Sequence, residues 1–408
     1  MAVYIMEILN WGKMSKQYCK LIVVTPDNNN KYYEMTWDGG PNFTVKYGRI
    51  ESSVQTATYP YSKWGSKYRE KVNKGYVDVT DKVSVEVTEV KETKESLLDV
   101  AEKMVNEFLK KMKAYTDGLV KSTYSVKAEA VSQKQVDETQ KLIDEINGMD
   151  AKLVSAINAK LIELYTIIPR RMSQVRDYLL PNIKLDRHME NEQDNLDAMA
   201  AQVSLVKPPD KKKAKADKKA AQTLLDKLGI TMTEADGVPK EVEYLIKQSH
   251  GRKVKAIFEV NKPAEDKVFD EWMSKQKNKN TSILIHGTRC TSVIPILEIG
   301  LKIRPSGNFQ FSGKAYGDGN YFSEHMQKSL GYTGYDPDKV ILVYEVHTGN
   351  PFVYDGWYRG NSFPLNYSEL SKRGYDSTYV KPGSGLQNSE IIAYKEQQNR
   401  IKYIIWLN

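Results

Sequence analysis

The hydrophobic periodicity of this chain changes twice, and no single layer architecture satisfies all three patterns. Up to about residue 90 the texture is strand-like and aromatic. Tyr32-Tyr33-Glu34-Met35-Thr36-Trp37 and Phe43-Thr44-Val45-Lys46-Tyr47 flank the turn formers Asp38-Gly39-Gly40-Pro41-Asn42, which predicts a hairpin. Alternating valines from Val77 to Val90 predict a further strand. From about 94 to 204 the apolar residues recur at helical spacing. One stripe is Leu97, Ala101, Met104, Val105, Phe108 and Met112, and a second is Val136, Leu142, Ile143 and Ile146. A third, Leu153, Ile157, Leu161, Leu164, Tyr165 and Ile168, is stopped by Pro169. Such stripes predict a helix bundle. Lys207-Pro208-Pro209-Asp210 and the lysines to Lys219 then break the pattern: paired prolines and like charges predict a solvated linker. Beyond it, helices are expected around Val242 to His250 and Glu265 to Lys275. Short apolar runs of strand length follow at Ile283-Leu284-Ile285, Val340 to Tyr344, Ile391 to Tyr394 and Tyr403 to Trp406. Strands and helices do not alternate regularly, which argues against a doubly wound sheet.

A length of 408 residues suits two or three domains. The two cysteines, Cys19 and Cys290, lie far apart and outside any CxxC pair, so neither a disulfide framework nor a cysteine-rich zinc site is expected. His188, His250, His286, His325 and His347 show no metal-ligand spacing, and no metal is expected. No apolar run approaches the ~20 residues of a membrane span, and no signal peptide is visible. The expected location is therefore intracellular: the nucleus in a eukaryote, the cytoplasm or nucleoid for a bacterial or viral chain. The formal charge of +8 is a mild pointer to a polyanionic partner, weakened because much of it sits in the linker.

Three strings carry candidate chemistry. They are Ile283-Leu284-Ile285-His286-Gly287-Thr288-Arg289, Gly313 to Ser323 with Gly317-Asp318-Gly319-Asn320-Tyr321-Phe322 inside it, and Asn388-Ser389-Glu390-Ile391-Ile392-Ala393-Tyr394. A His, a Tyr and a Glu each stand at the edge of an apolar run. Together they resemble the NAD-binding site of the poly(ADP-ribose) polymerases, which transfer ADP-ribose from NAD to an acceptor. Breaking the nicotinamide–ribose bond leaves positive charge on the ribose. A site for it needs a slot for a flat ring, partners for the carboxamide and a negative group near the cation. Gly287 permits close backbone approach, Tyr321 and Tyr332 offer flat faces, Ser329 offers a hydroxyl, and Glu390 is a carboxylate.

The resemblance implies finer roles. His286 binds the adenosine ribose, with Thr288 completing the cofactor-binding string, and Gly287 holds the carboxamide. Tyr321 lines the nicotinamide slot. In Lys328-Ser329-Leu330-Gly331-Tyr332, Ser329 bonds the carboxamide and Tyr332 stacks on the ring. Glu390 orients the donor ribose and polarises the acceptor, which favours chain elongation over single transfer. The implied catalytic set is Glu390, His286 and Tyr321, with NAD+ as co-substrate. Asp318 stands where most relatives carry Lys or Arg, Ser292 replaces an asparagine, and the acceptor loop near Asp376 to Gly385 is short. Taken singly, His286 reads as a strand-end histidine, Glu390 as an edge carboxylate, the tyrosines as core or rim aromatics and the glycines as a turn. Their occurrence together, in family order, carries the assignment.

Asn30-Lys31-Tyr32-Tyr33, Lys46-Tyr47-Gly48-Arg49-Ile50 and Lys71-Val72-Asn73-Lys74-Gly75-Tyr76 resemble a WGR domain, with Tyr47 in place of the naming tryptophan. That resemblance implies DNA binding by Tyr47, through stacking, and by Arg49, through phosphate. Leu164-Tyr165-Thr166-Ile167-Ile168-Pro169 resembles the family's helical regulatory domain. The fold expected is therefore multidomain α+β. A small antiparallel β WGR domain spans 1–90 and an all-α helical bundle 91–205. A basic linker over 206–220 leads to a mixed, mostly-β ADP-ribosyltransferase domain over 221–408. The expected protein is a monomer off DNA, of the compact DNA-dependent type. It is stimulated by DNA ends or nicks and modifies protein acceptors, itself included. The rival expectations are a single-transfer enzyme of the same fold, a silent DNA-end binder that reads ADP-ribose, and a toxin with one protein target.

Overall fold

A computed structural model of the chain describes residues 17–50, 52–80, 99–206, 222–249, 251–304, 314–355, 367–383 and 385–408. Of the expected basic linker Val206 is the last residue of α5; residues 207–220, the valines beyond residue 80, Leu97, His250 and Gly313 lie outside the described residues. The chain divides into two compact units. The first comprises Met1–Lys91, Lys121–Ile146 and Ala151–Leu185; the second comprises Glu92–Val120, Asn147–Asp150 and Asp186–Asn408.

In the first unit β1 (Gln17–Thr25), β2 (Asn29–Trp37), β3 (Asn42–Arg49), β4 (Gln55–Pro60) and β5 (Val77–Asp78) form an antiparallel sheet of order β4-β3-β2-β1-β5. The hairpin expected around Asp38-Gly39-Gly40 is present, with Thr36 paired to Thr44. Alternation along β2 and β3 sends Tyr33, Met35, Trp37, Phe43 and Val45 to one buried face. Helix α1 (Trp64–Asn73) adds Trp64, whose ring meets Phe43 edge-on at 5.1 Å, and Lys71, whose ammonium lies 4.3 Å from the Tyr33 ring centre.

Four long helices follow: α2 (Lys103–Thr123), α3 (Gln133–Asn147), α4 (Val154–Ile167) and α5 (Leu185–Val206). Helix α4 buries Ile157, Leu161, Leu164 and Tyr165 and packs against β1. It stops before Pro169, which restrains Ile168 to extended backbone. The Gln135 amide donates to the Ile167 carbonyl at 2.7 Å, joining α3 to that end.

The helical stretch is divided between the units: α2 up to Val120 and α5 from Asp186 belong to the second. Val105, Phe108, Leu109 and Met112 are buried in the main core of the second unit, where Phe108 lies 4.9 Å from Phe258 and 5.5 Å from Trp406, ring centre to ring centre. A 3.6-residue stripe announces an apolar face, not what covers it.

The second unit continues with α6 (Leu224–Leu228), β6 (Thr231–Glu234), α7 (Glu243–Ile246), β7 (Val254–Asn261), α8 (Pro263–Ser274), β8 (Thr281–Thr288) and α9 (Cys290–Ile299). Then come β9 (Asn320–Phe322), α10 (Met326–Leu330), β10 (Lys339–His347), β11 (Pro351–Tyr354), α11 (Tyr367–Lys372), β12 (Ser377–Val380), β13 (Glu390–Ala393) and β14 (Asn399–Leu407). One sheet has the order β6-β7-β14-β10-β8, the other β11-β12-β13-β9. All pairs are antiparallel except β11 with β12. β10 reads as an almost unbroken apolar run because it lies between β14 and β8 and is buried along both faces.

Asp338, just before β10, ties α2 to this sheet. Its buried carboxylate accepts from Lys255 Nζ and Lys111 Nζ at 2.8 Å, Trp406 Nε1 at 2.9 Å and Tyr115 Oη at 3.0 Å. Burial alone would raise its pKa, but bonds from Lys111, Lys255, Trp406 and Tyr115 overrule it and hold the group at about 2. A folded-state pKa below the unfolded one contributes stability above the ordinary carboxylate range, lost as the pH falls toward about 2. Breaking a buried charge cluster costs about 3 kcal/mol at the lower end, which applies here because both lysines still touch water. Asp338→Ala is thus expected to lower the thermal midpoint by about 5 °C or more. A calorimetric scan that matches the unaltered chain would contradict this.

Candidate active site

The site is built where the two sheets of the second unit meet. Ile285 on β8 and Ser323, just past β9, exchange backbone hydrogen bonds of 2.9 Å in both directions. β8 is an edge strand, so Ile285 turns its peptide groups away from β10 and toward Ser323. Two residues on, alternation points the N–H and C=O of Gly287 to that same side.

Gly287 has no room for any other residue. A methyl at its Cα would lie 1.8 Å from the Ser329 carbonyl oxygen and 2.5 Å from its carbon. Ser329 sits in α10 and is buried. Gly319 is similarly confined: a methyl there would come within 2.6 Å of Ile392 Cγ2 and 2.9 Å of the Ala393 carbonyl oxygen. These two close approaches bring β8 against α10, and the turn before β9 against β13.

Around this frame the structure gathers the predicted residues. His286 Nδ1 lies 3.0 Å from the Tyr321 carbonyl oxygen, so Nδ1 carries the proton and donates. Burial lowers the His286 pKa, opposed by that bond, and the ring is held neutral. The Tyr321 hydroxyl donates to the Gly317 carbonyl and accepts from the Tyr316 N–H, both at 2.8 Å, which fixes its ring. Tyr321 pairs with Ile392 across β9 and β13, and Glu390 is two residues before Ile392. Side chains at that spacing share a face, so Tyr321 and Glu390 stand on the same side of the second sheet. The opposite side, with Phe322, Ile391 and Ala393, faces the main core. Thr288 ends β8 opposite Val340 and is buried. Tyr332, close after α10, remains 46 % exposed, leaving a ring face available to a ligand.

Lys328 was not picked out by sequence reasoning, although it immediately precedes Ser329 in its string. Its ammonium is 3.1 Å from Glu390 Oε1. Burial raises the Glu390 pKa from its ordinary value, and Lys328 opposes the rise. Burial first, and the Glu390 charge second, push the Tyr332 phenol up. An imidazole that donates from Nδ1, the fixed ring of Tyr321 and a buried carboxylate paired with one lysine are thus gathered in one cluster, a donor set suited to a neutral ring and a developing cation.

Beside this pocket α5 presents acids to cations. Arg289 Nη1 is 2.9 Å from Asp194 and Arg304 Nη2 is 2.7 Å from Asp197. Burial pushes Asp194 up to about 6 despite Arg289. Among the described residues no group of three or more His, Cys, Asp or Glu side chains is gathered for a metal, and no helix is long and apolar enough to cross a membrane.

The two residues expected at DNA lie in the first unit. Tyr47 is half-buried and lines a cavity of about 330 Å³ with Lys31, Tyr32, Gln55 and Tyr76. Arg49 borders the same cavity, but its guanidinium turns inward: it donates to the carbonyl and side-chain oxygens of Asn28, the latter at 2.9 Å, and to the Ser173 carbonyl at 2.8 Å. A residue type announces a cation; it does not announce which oxygens take its protons.

Because the Gly287 contact joins β8 to α10, Gly287→Ala is expected to abolish turnover, whereas Ser292→Ala, one turn into α9, leaves it within about twofold. Equal rates for the two variants would contradict the packing argument.

The sequence matches the poly(ADP-ribose) polymerase catalytic domain over residues 232–408. A poly(ADP-ribose) polymerase-like protein of Invertebrate iridescent virus 6 is 57 % identical over 168 residues, 40 % of this chain and 92 % of that protein. A second protein of the same virus is 44 % identical over 187 residues, 46 % of this chain and 77 % of its own length. The poly(ADP-ribose) polymerase of Sarcophaga peregrina is 25 % identical over 319 residues, 68 % of this chain but 31 % of that enzyme. With the catalytic domain matched to the chain's end and a relative covered almost throughout, the chain belongs to the poly(ADP-ribose) polymerase family and is an NAD+ ADP-ribosyltransferase.

Proposed function

We propose that the chain builds poly(ADP-ribose) on protein acceptors and that DNA breaks stimulate it. The observation that carries the first half is the position of Glu390, buried on the sheet face of Tyr321 and ion-paired with Lys328 at 3.1 Å. In this reading His286 holds the adenosine ribose, and the Gly287 peptide, with the Ser329 hydroxyl, holds the carboxamide. Thr288 closes the string, and the rings of Tyr321 and Tyr332 enclose the nicotinamide. The nicotinamide–ribose bond then breaks with nicotinamide as a neutral leaving group. The Glu390 carboxylate stabilises the positive ribose and takes up the acceptor's hydrogen bond. A glutamate suits elongation because the acceptor in each later round is a sugar hydroxyl that needs polarising.

DNA enters through the first unit. Its cavity offers the aromatic rings of Tyr47, Tyr32 and Tyr76 beside Lys31, a combination that can stack a base or sugar and meet phosphate. There Arg49 shapes the wall from within. The WGR resemblance supports the same reading.

Three measurements test this. Labelled-NAD incorporation, with and without a short nicked duplex, is expected to rise with the duplex; equal incorporation would remove the DNA half of the proposal. Glu390→Gln is expected to keep NAD affinity and reduce elongation about a hundredfold or more; an unchanged product ladder would sink the glutamate assignment. Since the ionised Glu390 is the working form and its pKa is already raised, activity falls as the pH drops through that value. Lys328→Met removes the opposing charge, so the acid limb of the pH–rate profile should move to higher pH. A limb that stays in place would contradict the pairing.

A further inference from the structure

Tyr321 sits in the middle of β9, a strand of three residues, and its backbone is placed by pairing with β13. Its phenol takes a second hold from the turn at 314–317, which the Gly317 N–H closes on the Lys314 carbonyl. There the hydroxyl accepts from the Tyr316 N–H and donates to the Gly317 carbonyl. Whatever fixes that turn against the second sheet therefore helps to aim the Tyr321 ring.

Tyr394 fixes it. This residue directly follows β13 and is buried in a cluster with Tyr316 and Ile392, against which Tyr321 packs. Its hydroxyl donates to the Tyr316 carbonyl at 3.1 Å, and Thr378 Oγ1 lies 2.7 Å from the same hydroxyl. A phenol has one proton to give, so Thr378 is the donor to Tyr394. Thr378 is itself fully buried. It pairs with Ile392 across β12 and β13, and Ile392 pairs with Tyr321 across β13 and β9, so the three form one row on the sheet. The hydrogen bonds thus leave this row at Thr378, pass through Tyr394 and Tyr316, and come back to it at Tyr321. The Tyr394 ring also seats the turn. It stacks on Tyr367 at 4.9 Å between ring centres, and a methyl on Gly319 would stand 3.3 Å from its Cδ1, one on Gly317 3.7 Å from its Cε1. Burial raises the Tyr394 pKa, against the Thr378 bond, so the hydroxyl keeps the proton it donates.

We propose that Tyr394 is a positioning residue: the line of hydrogen bonds from Thr378 through Tyr394 to Tyr316 sets the angle at which the Tyr321 ring meets nicotinamide. This rests on the reading above, in which Tyr321 lines the nicotinamide slot. Tyr394 acts through Tyr316 and Tyr321, not on the reacting atoms. A phenylalanine in its place keeps the stack on Tyr367 and the seat beneath the two glycines, but it has no proton for the Tyr316 carbonyl. The turn is then held by packing alone, and the Tyr321 ring gains freedom to tilt. A flat ligand feels such a tilt, because stacking depends on the angle between the planes. Parts of the dinucleotide that meet other residues do not.

The test uses the full chain with Tyr394→Phe, Thr378→Val and Thr378→Ser. Calorimetric affinities are taken for benzamide, a nicotinamide mimic, and for free ADP-ribose, which lacks the nicotinamide. Tyr394→Phe and Thr378→Val are each expected to weaken benzamide about fivefold and to leave ADP-ribose unchanged. Thr378→Ser keeps the hydroxyl and is expected to bind both probes as the unaltered chain does. In the double variant Thr378→Val adds nothing to Tyr394→Phe, because it acts through that hydroxyl. Thr378→Val carries the same test if Tyr394→Phe does not fold. A merely structural role moves both probes together. Equal losses for the two probes, additive losses in the double variant, or unchanged benzamide affinity in Tyr394→Phe would overturn the positioning role and leave the catalytic reading intact. An unaltered chain that binds no benzamide would overturn the catalytic reading itself, and the role of Tyr394 with it.

Discussion

Two backbone hydrogen bonds between Ile285 and Ser323 hold the catalytic frame together, because they are where an edge strand of one sheet meets the end of a strand of the other. Peptide groups on an unpaired edge are costly if buried and reactive toward other chains if exposed. Here one bridge uses the edge of β8 at Ile285 and leaves the next outward-facing residue, Gly287, beside the bound helix α10. The Gly287–Ser329 approach and the His286–Tyr321 bond cluster at that junction, and the β9–β13 pairing adds the shared face of Tyr321 and Glu390. Side chains that are distant in sequence become neighbours without a loop having to fold over them.

Much of the fold was legible, for physical reasons that differ along the chain. The hairpin around Asp38-Gly39-Gly40 was visible because turn chemistry and β-prone runs agree there. Strands β8, β10, β13 and β14 were visible as bounded apolar runs. The three residues of β9 and the five of α10 were not, since neither is long enough to show a period. α5 escaped as a stripe because it sets Asp194 and Asp197 toward Arg289 and Arg304, so part of its inward face is polar. Within the site the sequence offered His286, Tyr321 and Glu390 but not their electrostatics. Lys328 lay in plain view and gained meaning only once β13 placed Glu390 beside it.

Among the described residues, several cations of the second unit are answered inside it. Arg289 and Arg304 meet α5, Lys328 meets Glu390, and Lys111 and Lys255 meet Asp338. These cations contribute to the formal charge of +8 without being free to meet a ligand unopposed. What the cluster around Glu390 gathers is peptide groups, rings and one carboxylate whose proton affinity a neighbouring lysine adjusts.

The Asp338 cluster also bears on the order in which the chain can be made. Its donor Tyr115 lies 223 positions before the carboxylate. Ribosomes release α2 long before the strands that cover it, so Val105, Phe108 and Met112 wait without their final neighbours until β14, the last strand, emerges. Closure of that core is a late, long-range event, and until it happens the apolar side of α2 is the nascent chain's point of exposure to chaperones and to aggregation.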